Sequence, residues 1–346
     1  MLKHISVYQC RPDDILAEDV IDNGTKLIAK NTVLNGYIID KLKYCGVSKV
    51  WIYDSSADMG REKVYNSYEI LKKDYEASIR SIKKITNDLV AKGRIDYGIV
   101  SQISDEIYVH IGRDNYIVQC MNSLKNADEY TFTHSINVSL YAMLIANWLK
   151  LPEPVVKVSI QAGLLHDIGK MKVPGEILNK PTRLSQDEFR EMKKHTIFGY
   201  DIIRGNEEID LNIRDSILMH HERIDGSGYP FGIKGSEIPL IARIISIADV
   251  FDAMTTNRVY KKGTTPFKAF QMFTTEGISL FDTKVLLTFL ENITAHYIGM
   301  RALLDNGESG EIIFIPPRDV LNPIVKIGDR FIDFSKEKQF NIVGVF

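Results

Sequence analysis

Long apolar runs are missing from this 346-residue chain. No stretch approaches the about eighteen consecutive apolar residues that cross a bilayer, and the opening MLKHISVYQCRPDD has no apolar signal core. These two absences point to a cytoplasmic protein without membrane attachment. Cysteine is scarce as well. Cys10, Cys45 and Cys120 are odd in number and lack metal-type spacing, which excludes a disulfide framework or zinc knuckle and leaves free thiols. Nor does one sign of charge dominate. The 43 Lys and Arg against 45 Asp and Glu leave a net −2, which argues against coating a nucleic-acid polymer or a membrane surface. Internal repeats and low-complexity tracts are also lacking.

What is present is a globular composition, 45% hydrophobic and 25% charged, with material for two or three domains. Residues 1–55 combine β-like runs (HISVYQ, TKLIAK, SKVWIY), an IDNGT turn and a helical NGYIIDKLKYCG, the pattern of a small α+β module. From 56 to 125 the sequence is charged and helix-favouring. There Tyr75, Ile82, Ile85 and Leu89 recur at roughly heptad spacing, which fits a helical connector packed on its neighbours and also a seam for a homodimer. Residues 126–300 read as almost uninterrupted amphipathic helix, and 301–346 return to turns and strands. The expected fold is therefore mainly α: a helical core with a small α+β module before it and a short β-rich segment after it.

Polar residues interrupt the apolar helical faces at regular places. His134 lies on a stripe with Tyr130, Val138, Tyr141 and Ile145, and His166 ends the apolar face of a helix that stops at Gly169. The capping box SQDE opens a helix that leads to His195, and Ile213 and Ile217 lead at helical spacing to His220 and His221. After Pro239, Asp249 and Asp252 share a face with Ile241 and Ile245. A single such histidine is usually a satisfied core residue, but five of the eight histidines fall between 134 and 221. Carboxylates buried beside neutral imidazoles cost several kcal/mol each unless a positive charge lies between them. A bound divalent ion supplies that charge, and imidazole with carboxylate suits iron, manganese, zinc or nickel. Five histidines and two aspartates exceed one ion's need, so two ions sharing a carboxylate is the economical reading. Paired ions recur in the cleavage of phosphate esters.

The segments HDIGK, HHERIDGSGYP and IADVFDAMTTNRVYK, with YTFTHS, VPGEILNKP, EMKKHTIFGY and FDTKV in the same order, resemble the HD-GYP subgroup of the HD phosphohydrolases over about residues 126–298. The resemblance implies an all-helical core that hydrolyses cyclic di-GMP to pGpG, and to GMP if a second cut follows, through a hydroxide held between two metals, most often iron or manganese. It implies that His134, His166, Asp167 and Asp249 ligate one metal, and that Asp167 bridges to a second held by His195, His220 and His221. Lys170 corresponds to a lysine on the scissile phosphate. Asp252, Arg258 and Lys261 correspond to positions on the dinucleotide. Gly228 and Tyr229, with Pro230, form the loop that names the subgroup, a substrate-side loop or a docking site for diguanylate cyclase domains. Tyr130 stands where some members carry a glutamate for a third metal, so two ions are expected, and Val259 replaces the proline of the usual RPY. Two alternatives stay open: a phosphodiesterase of another cyclic dinucleotide such as cyclic GMP-AMP, and a catalytically weak receptor or scaffold.

Overall fold

A computed structural model describes residues 2–11, 14–22, 25–28, 30, 32, 34, 38–39, 42–43, 46–53, 73–89, 95–111, 118, 121, 130–256 and 263–345. They belong to two compact units. One gathers both ends of the chain, residues 1–72 and 290–346 with 114–123, and the other holds 73–113 and 124–289.

In the first unit, β1 (Leu2–Ser6) pairs antiparallel with β4 (Lys49–Tyr53), and β2 (Val20–Asp22) pairs with β3 (Thr25–Ile28). Val7, Leu16, Leu34, Ile38, Leu42 and Val50 form the small core beneath them. Near the C-terminus, β5 (Arg301–Leu304), β6 (Ser309–Phe314), β7 (Ile324–Ile327), β8 (Arg330–Asp333) and β9 (Ile342–Val345) form an antiparallel sheet in the order β8-β7-β6-β5-β9. Only two residues join β7 to β8. Gly328 takes a φ of +58° at the first of them, a conformation other residues resist.

The second unit is helical. Its first helix, α1, covers residues 73–89. It is followed by α2 (Tyr97–Glu106), α3 (Tyr130–Trp148), α4 (Glu153–Leu165), α5 (Gln186–Lys193), α6 (His195–Ile203), α7 (Leu211–Met219), α8 (Leu240–Thr255), α9 (Pro266–Thr275) and α10 (Thr283–Ile293), the last running into the first unit. The heptad-like stripe of α1 is already covered: Tyr75, Ile82, Ile85 and Leu89 are all buried within the single chain. These four residues therefore fit the reading of a connector packed on its neighbours within the chain.

Residues 133–146 of α3 are buried on every side, the pattern of a central helix, and α4 and α8 pack against it. Two devices set their spacing. A Cβ on Gly163 of α4 would lie 2.5 Å from Ser139 Cα of α3, so only glycine lets these backbones meet. On α8, Phe251 packs edge-on to Tyr141 with 5.1 Å between ring centroids, and also meets Phe270 and Phe289. Clusters of this kind contribute beyond their buried area, and here they anchor α8 beside α3. No helix among the described residues is long and apolar enough to cross a membrane.

Gly169 makes a still closer approach, and it fixes the position of Asp167. A Cβ there would sit 1.9 Å from the carbonyl oxygen of His195 and 2.3 Å from Gly199 N, so the turn after His166 and Asp167 lies directly on the backbone of α6. Gly169→Ala should destabilise the protein by about 1–3 kcal/mol or more. Gly205→Ala, where a Cβ meets open space, should stay within about 0.5 kcal/mol of wild type. Paired urea melts test this, and equal midpoints for the two variants would contradict the tight contact.

Candidate metal centre

Five histidines reach one buried point from four places, and three of them do so from helix ends. His166 caps α4, His195 follows the last turn of α5, and His220 follows α7. Each donates Nδ1–H to a carbonyl three residues back: His166 to Gly163 (2.8 Å), His195 to Met192 (2.8 Å) and His220 to Ile217 (2.9 Å). Those carbonyls belong to last turns, which have no intrahelical donor. A carbonyl only accepts, so each bond places the proton on Nδ1 and leaves the Nε2 lone pair facing inward.

His134 lies inside α3, where the backbone carbonyls are taken by the helix itself. Its Nδ1 meets a carboxylate oxygen instead, Asp252 Oδ2 at 2.7 Å. Its Nε2 lies 3.1 Å from Asp249 Oδ1 and 3.5 Å from Asp167 Oδ2. Asp249 and Asp252, one turn apart on α8, thus clasp the two nitrogens of one ring. His221 sits farther out, its Nδ1 3.9 Å from Asp249 Oδ2.

Asp167 is the centre of the cluster. Its Oδ2 faces His134 and His166 (3.2 Å from His166 Nε2), while its Oδ1 faces His195 at 3.4 Å and His220 at 4.0 Å. Two sets of ligand atoms are each close enough to hold an ion: His134, His166 and Asp167, and Asp167 with His195, His220 and His221. Both contain Asp167. His166 Nε2 and Asp167 Oδ1 are buried and make no hydrogen bond, and such orphaned atoms need an explanation. A divalent cation is one that fits both, since each offers a lone pair toward the same space.

The electrostatics agree. Burial pushes the Asp167 carboxyl up, but the neighbouring His166 ring and the Lys170 ammonium outweigh it and hold the group well below the usual carboxylate range; Asp249 is held down in the same way, chiefly by its bond to His134. Burial drives His220 and His221 well below the ordinary imidazole range and lowers His195 too, so these rings are neutral. His134 goes the other way. Burial opposes its charge, yet the bonds to Asp249 and Asp252 raise it to about 9, so a proton occupies the position between carboxylates that a metal would take.

The structure brings together seven residues singled out in the sequence as ligands: His134, His166, Asp167, His195, His220, His221 and Asp249. Lys170 joins them, its Nζ bonded to Asp167 Oδ2. Tyr229 stacks on His221 with 4.7 Å between ring centroids, and burial, with Asp167 and Asp249 nearby, pushes its phenol up. Gly226 takes a φ of +82°, whereas Gly228 is needed for space: a Cβ there would lie 2.5 Å from His221 O and Glu222 Cα. Asp252 differs from expectation. It is wholly buried behind His134, with Asn137 Nδ2 and Thr256 Oγ1 each donating to its Oδ1 at 2.8 Å, so the face expected to meet a dinucleotide is turned to the core. Arg258, Lys261, Val259 and the Tyr130 side chain lie outside the described residues, as do Cys45 and Cys120.

Three contributors were missed from sequence. Glu222, inside HHERIDGSGYP, accepts from Phe231 N (2.7 Å) and Gly232 N (3.1 Å) and so folds the loop back on itself. Asn137 lies one turn after His134 on a buried face, a polar interruption as informative as the histidine. Tyr75 read only as packing, but its hydroxyl donates to Asn137 Oδ1 at 2.6 Å.

Residues 119–285 match the HD domain family. The cyclic di-GMP phosphodiesterase PA4108 of Pseudomonas aeruginosa is 37% identical over 233 residues, 67% of this chain and 56% of that protein. The 3'3'-cGAMP-specific phosphodiesterase 2 of Vibrio cholerae is 33% identical over 184 residues, 53% of this chain and 35% of that protein. The chain therefore spans about half the length of the first relative and a third of the second. Bd1817, a HDG"Y"P protein from Bdellovibrio bacteriovorus, has a similar fold: a TM-score of 0.54 at 17% identity, over 84% of this chain and 98% of that one.

The opposed imidazole shifts predict the pH dependence of the metal-free protein. His134 is raised from 6.5 to about 9, so its contribution to stability is complete below 6.5 and is lost as pH rises through about 9. His195, His220 and His221 are depressed, so below 6.5 the unfolded chain takes up protons that the folded chain refuses, and stability falls with acidification. Metal-stripped protein should melt highest near pH 6.5 and lose Tm toward pH 9. Metal-loaded protein should lack the alkaline loss, because the ion replaces the proton on His134. A metal-stripped Tm that climbs from pH 6.5 to 9 would rule out the clasp.

Proposed function

We propose that this chain, whose residues 119–285 match the HD domain family, is an HD-GYP member and a metal-dependent phosphodiesterase opening cyclic di-GMP to linear pGpG. The observation that carries the reading is the sharing of Asp167 by two ligand sets. His134, His166, Asp167 and Asp249 would hold one ion, and Asp167, His195, His220 and His221 a second. With nitrogen and oxygen donors and no thiolate, the site suits iron or manganese. Ions held there supply Lewis acidity toward a phosphodiester and lower the pKa of water at neutral pH.

The chain's own groups do the rest. The carbonyl bonds on Nδ1 keep three imidazoles aimed inward, so no reorganisation is needed when substrate arrives. Lys170, beside Asp167, supplies a positive charge to the non-bridging oxygens of the scissile phosphate, where phosphoryl transfer is stabilised mainly by electrostatics. Arg258 and Lys261 are proposed to pair with the dinucleotide phosphates, Arg258 through a bidentate fork. Tyr229 covers His221 and narrows the entrance on the side of the Gly228-Tyr229-Pro230 loop. That loop carries Phe231 at 61% exposure and is the surface on which a diguanylate cyclase domain would dock.

A second reading, hydrolysis of 3'3'-cyclic GMP-AMP, is favoured by the similarity to a Vibrio cholerae enzyme named for that substrate. Both dinucleotides should be assayed side by side with iron- or manganese-loaded protein. Faster turnover of cyclic di-GMP is expected. Preference for the mixed dinucleotide would replace the first reading, and ligand binding without cleavage of either would favour a receptor. Asp167→Ala should lose metal and activity together, and two ions retained per chain would refute the shared carboxylate. Lys170→Ala should keep its metals while kcat falls about a hundredfold; a rise in KM alone would make it a binding residue.

A further inference from the structure

His134 differs from the other ligand histidines in what holds its outer nitrogen. His166, His195 and His220 are anchored by carbonyls of helix ends, but His134 relies on a chain of side chains from three separate helices. Asp252 of α8 accepts from His134 Nδ1 at 2.7 Å. Asn137 of α3 donates to Asp252 Oδ1 at 2.8 Å, and Tyr75 of α1 donates to Asn137 Oδ1 at 2.6 Å. Every member is buried, with Tyr75 at 1% and Asn137 and Asp252 at 0% exposure. The directions agree along the chain: the hydroxyl donates to the amide oxygen, the amide nitrogen donates to the carboxylate, and the carboxylate accepts from the ring. Consistent, fully buried networks of this kind strengthen bond by bond.

We propose that Tyr75, on the helix that precedes the catalytic helices, is a positioning residue for the metal ligand His134, acting through Asn137 and Asp252. The inference rests on reading His134 as a ligand and leaves open which diester is cleaved. It gives Asp252 a role different from contact with the dinucleotide: it orients a ligand ring and sets its tautomer, so that Nε2 presents a lone pair. It also makes α1 part of the metal site's support, so that withdrawing Tyr75 from Asn137 would loosen His134 without touching any ligand.

The test is the affinity of the full chain for Mn2+, measured by chelator competition without substrate, for wild type, Tyr75→Phe, Asp252→Asn and the double variant. Asp252→Asn should weaken the His134 site by about tenfold to a hundredfold, as losses of second-layer partners do. Tyr75→Phe removes one hydroxyl, and should weaken the same site by about threefold to tenfold, the worth of one buried hydrogen bond. In the double variant the Tyr75→Phe effect should vanish, because the relay is already cut. Melts of the metal-free proteins separate loss of fold from loss of metal; should Asp252→Asn not fold, Tyr75→Phe alone decides. Unchanged Mn2+ affinity in Tyr75→Phe overturns the proposal, as do effects that multiply independently in the double variant. Asp252→Asn that keeps its Mn2+ affinity but raises KM would make Asp252 a substrate contact and also overturn it. Wild-type protein that binds Mn2+ yet cleaves neither dinucleotide would remove the phosphodiesterase reading and leave the relay standing.

Discussion

The burial of one carboxylate among imidazoles governs the helical unit. Asp167 is almost withdrawn from water, and an ionised carboxylate in such a place costs several kcal/mol unless positive charge compensates it. Without metal the chain does this with the neighbouring His166 ring and with Lys170. The same geometry could hold a metal ion. Much of the fold serves to keep that geometry: Gly169 brings the turn carrying Asp167 onto α6, and Gly163 lets α4 lie against α3. Substituting either glycine would move one ligand relative to another.

Helix ends do the aiming. A histidine placed just past a last turn finds a last-turn carbonyl three residues back, so one hydrogen bond caps the helix end and orients the ring. His166, His195 and His220 repeat this device. His134 cannot use it, and the cost is visible in the number of buried polar groups recruited for it: Asp252, Asn137, Thr256 and Tyr75. Buried polar networks seldom add stability over apolar packing. Their presence here is better explained by the need for one ring orientation than by stability.

The clustering of the histidines was legible because they break apolar helical stripes, and a repeated break has few structural explanations. The connector's stripe was legible as packing, but not its destination, since heptad-like spacing looks the same whether the partner is another chain or the same one. Asp249 and Asp252 show the limit most clearly. They lie three residues apart on one face, so periodicity treats them alike, and only the position of α3 decides that one meets Nε2 and the other Nδ1 of the same ring. Tyr75 was still less accessible: its partner Asn137 is 62 residues away, and a tyrosine on an apolar stripe reads as bulk until its hydroxyl has a neighbour.

The loop after α7 obeys the same constraint. His220 and His221 place the chain at the metal centre, and the next residue, Glu222, turns its carboxylate to the backbone amides of Phe231 and Gly232. That closes residues 222–232 into a compact return. Gly228 must then pass within contact distance of the His221–Glu222 backbone, which no residue with a Cβ could do. Because of that passage, Tyr229 lies flat on His221, and Lys193, 5.1 Å from the Tyr229 ring centroid, packs over it. Ligand, bracket and cover therefore form one continuous segment. A cover tied to its own ligand has little freedom to move independently of the metal centre, so access to the site on this side is set by the same residues that build it.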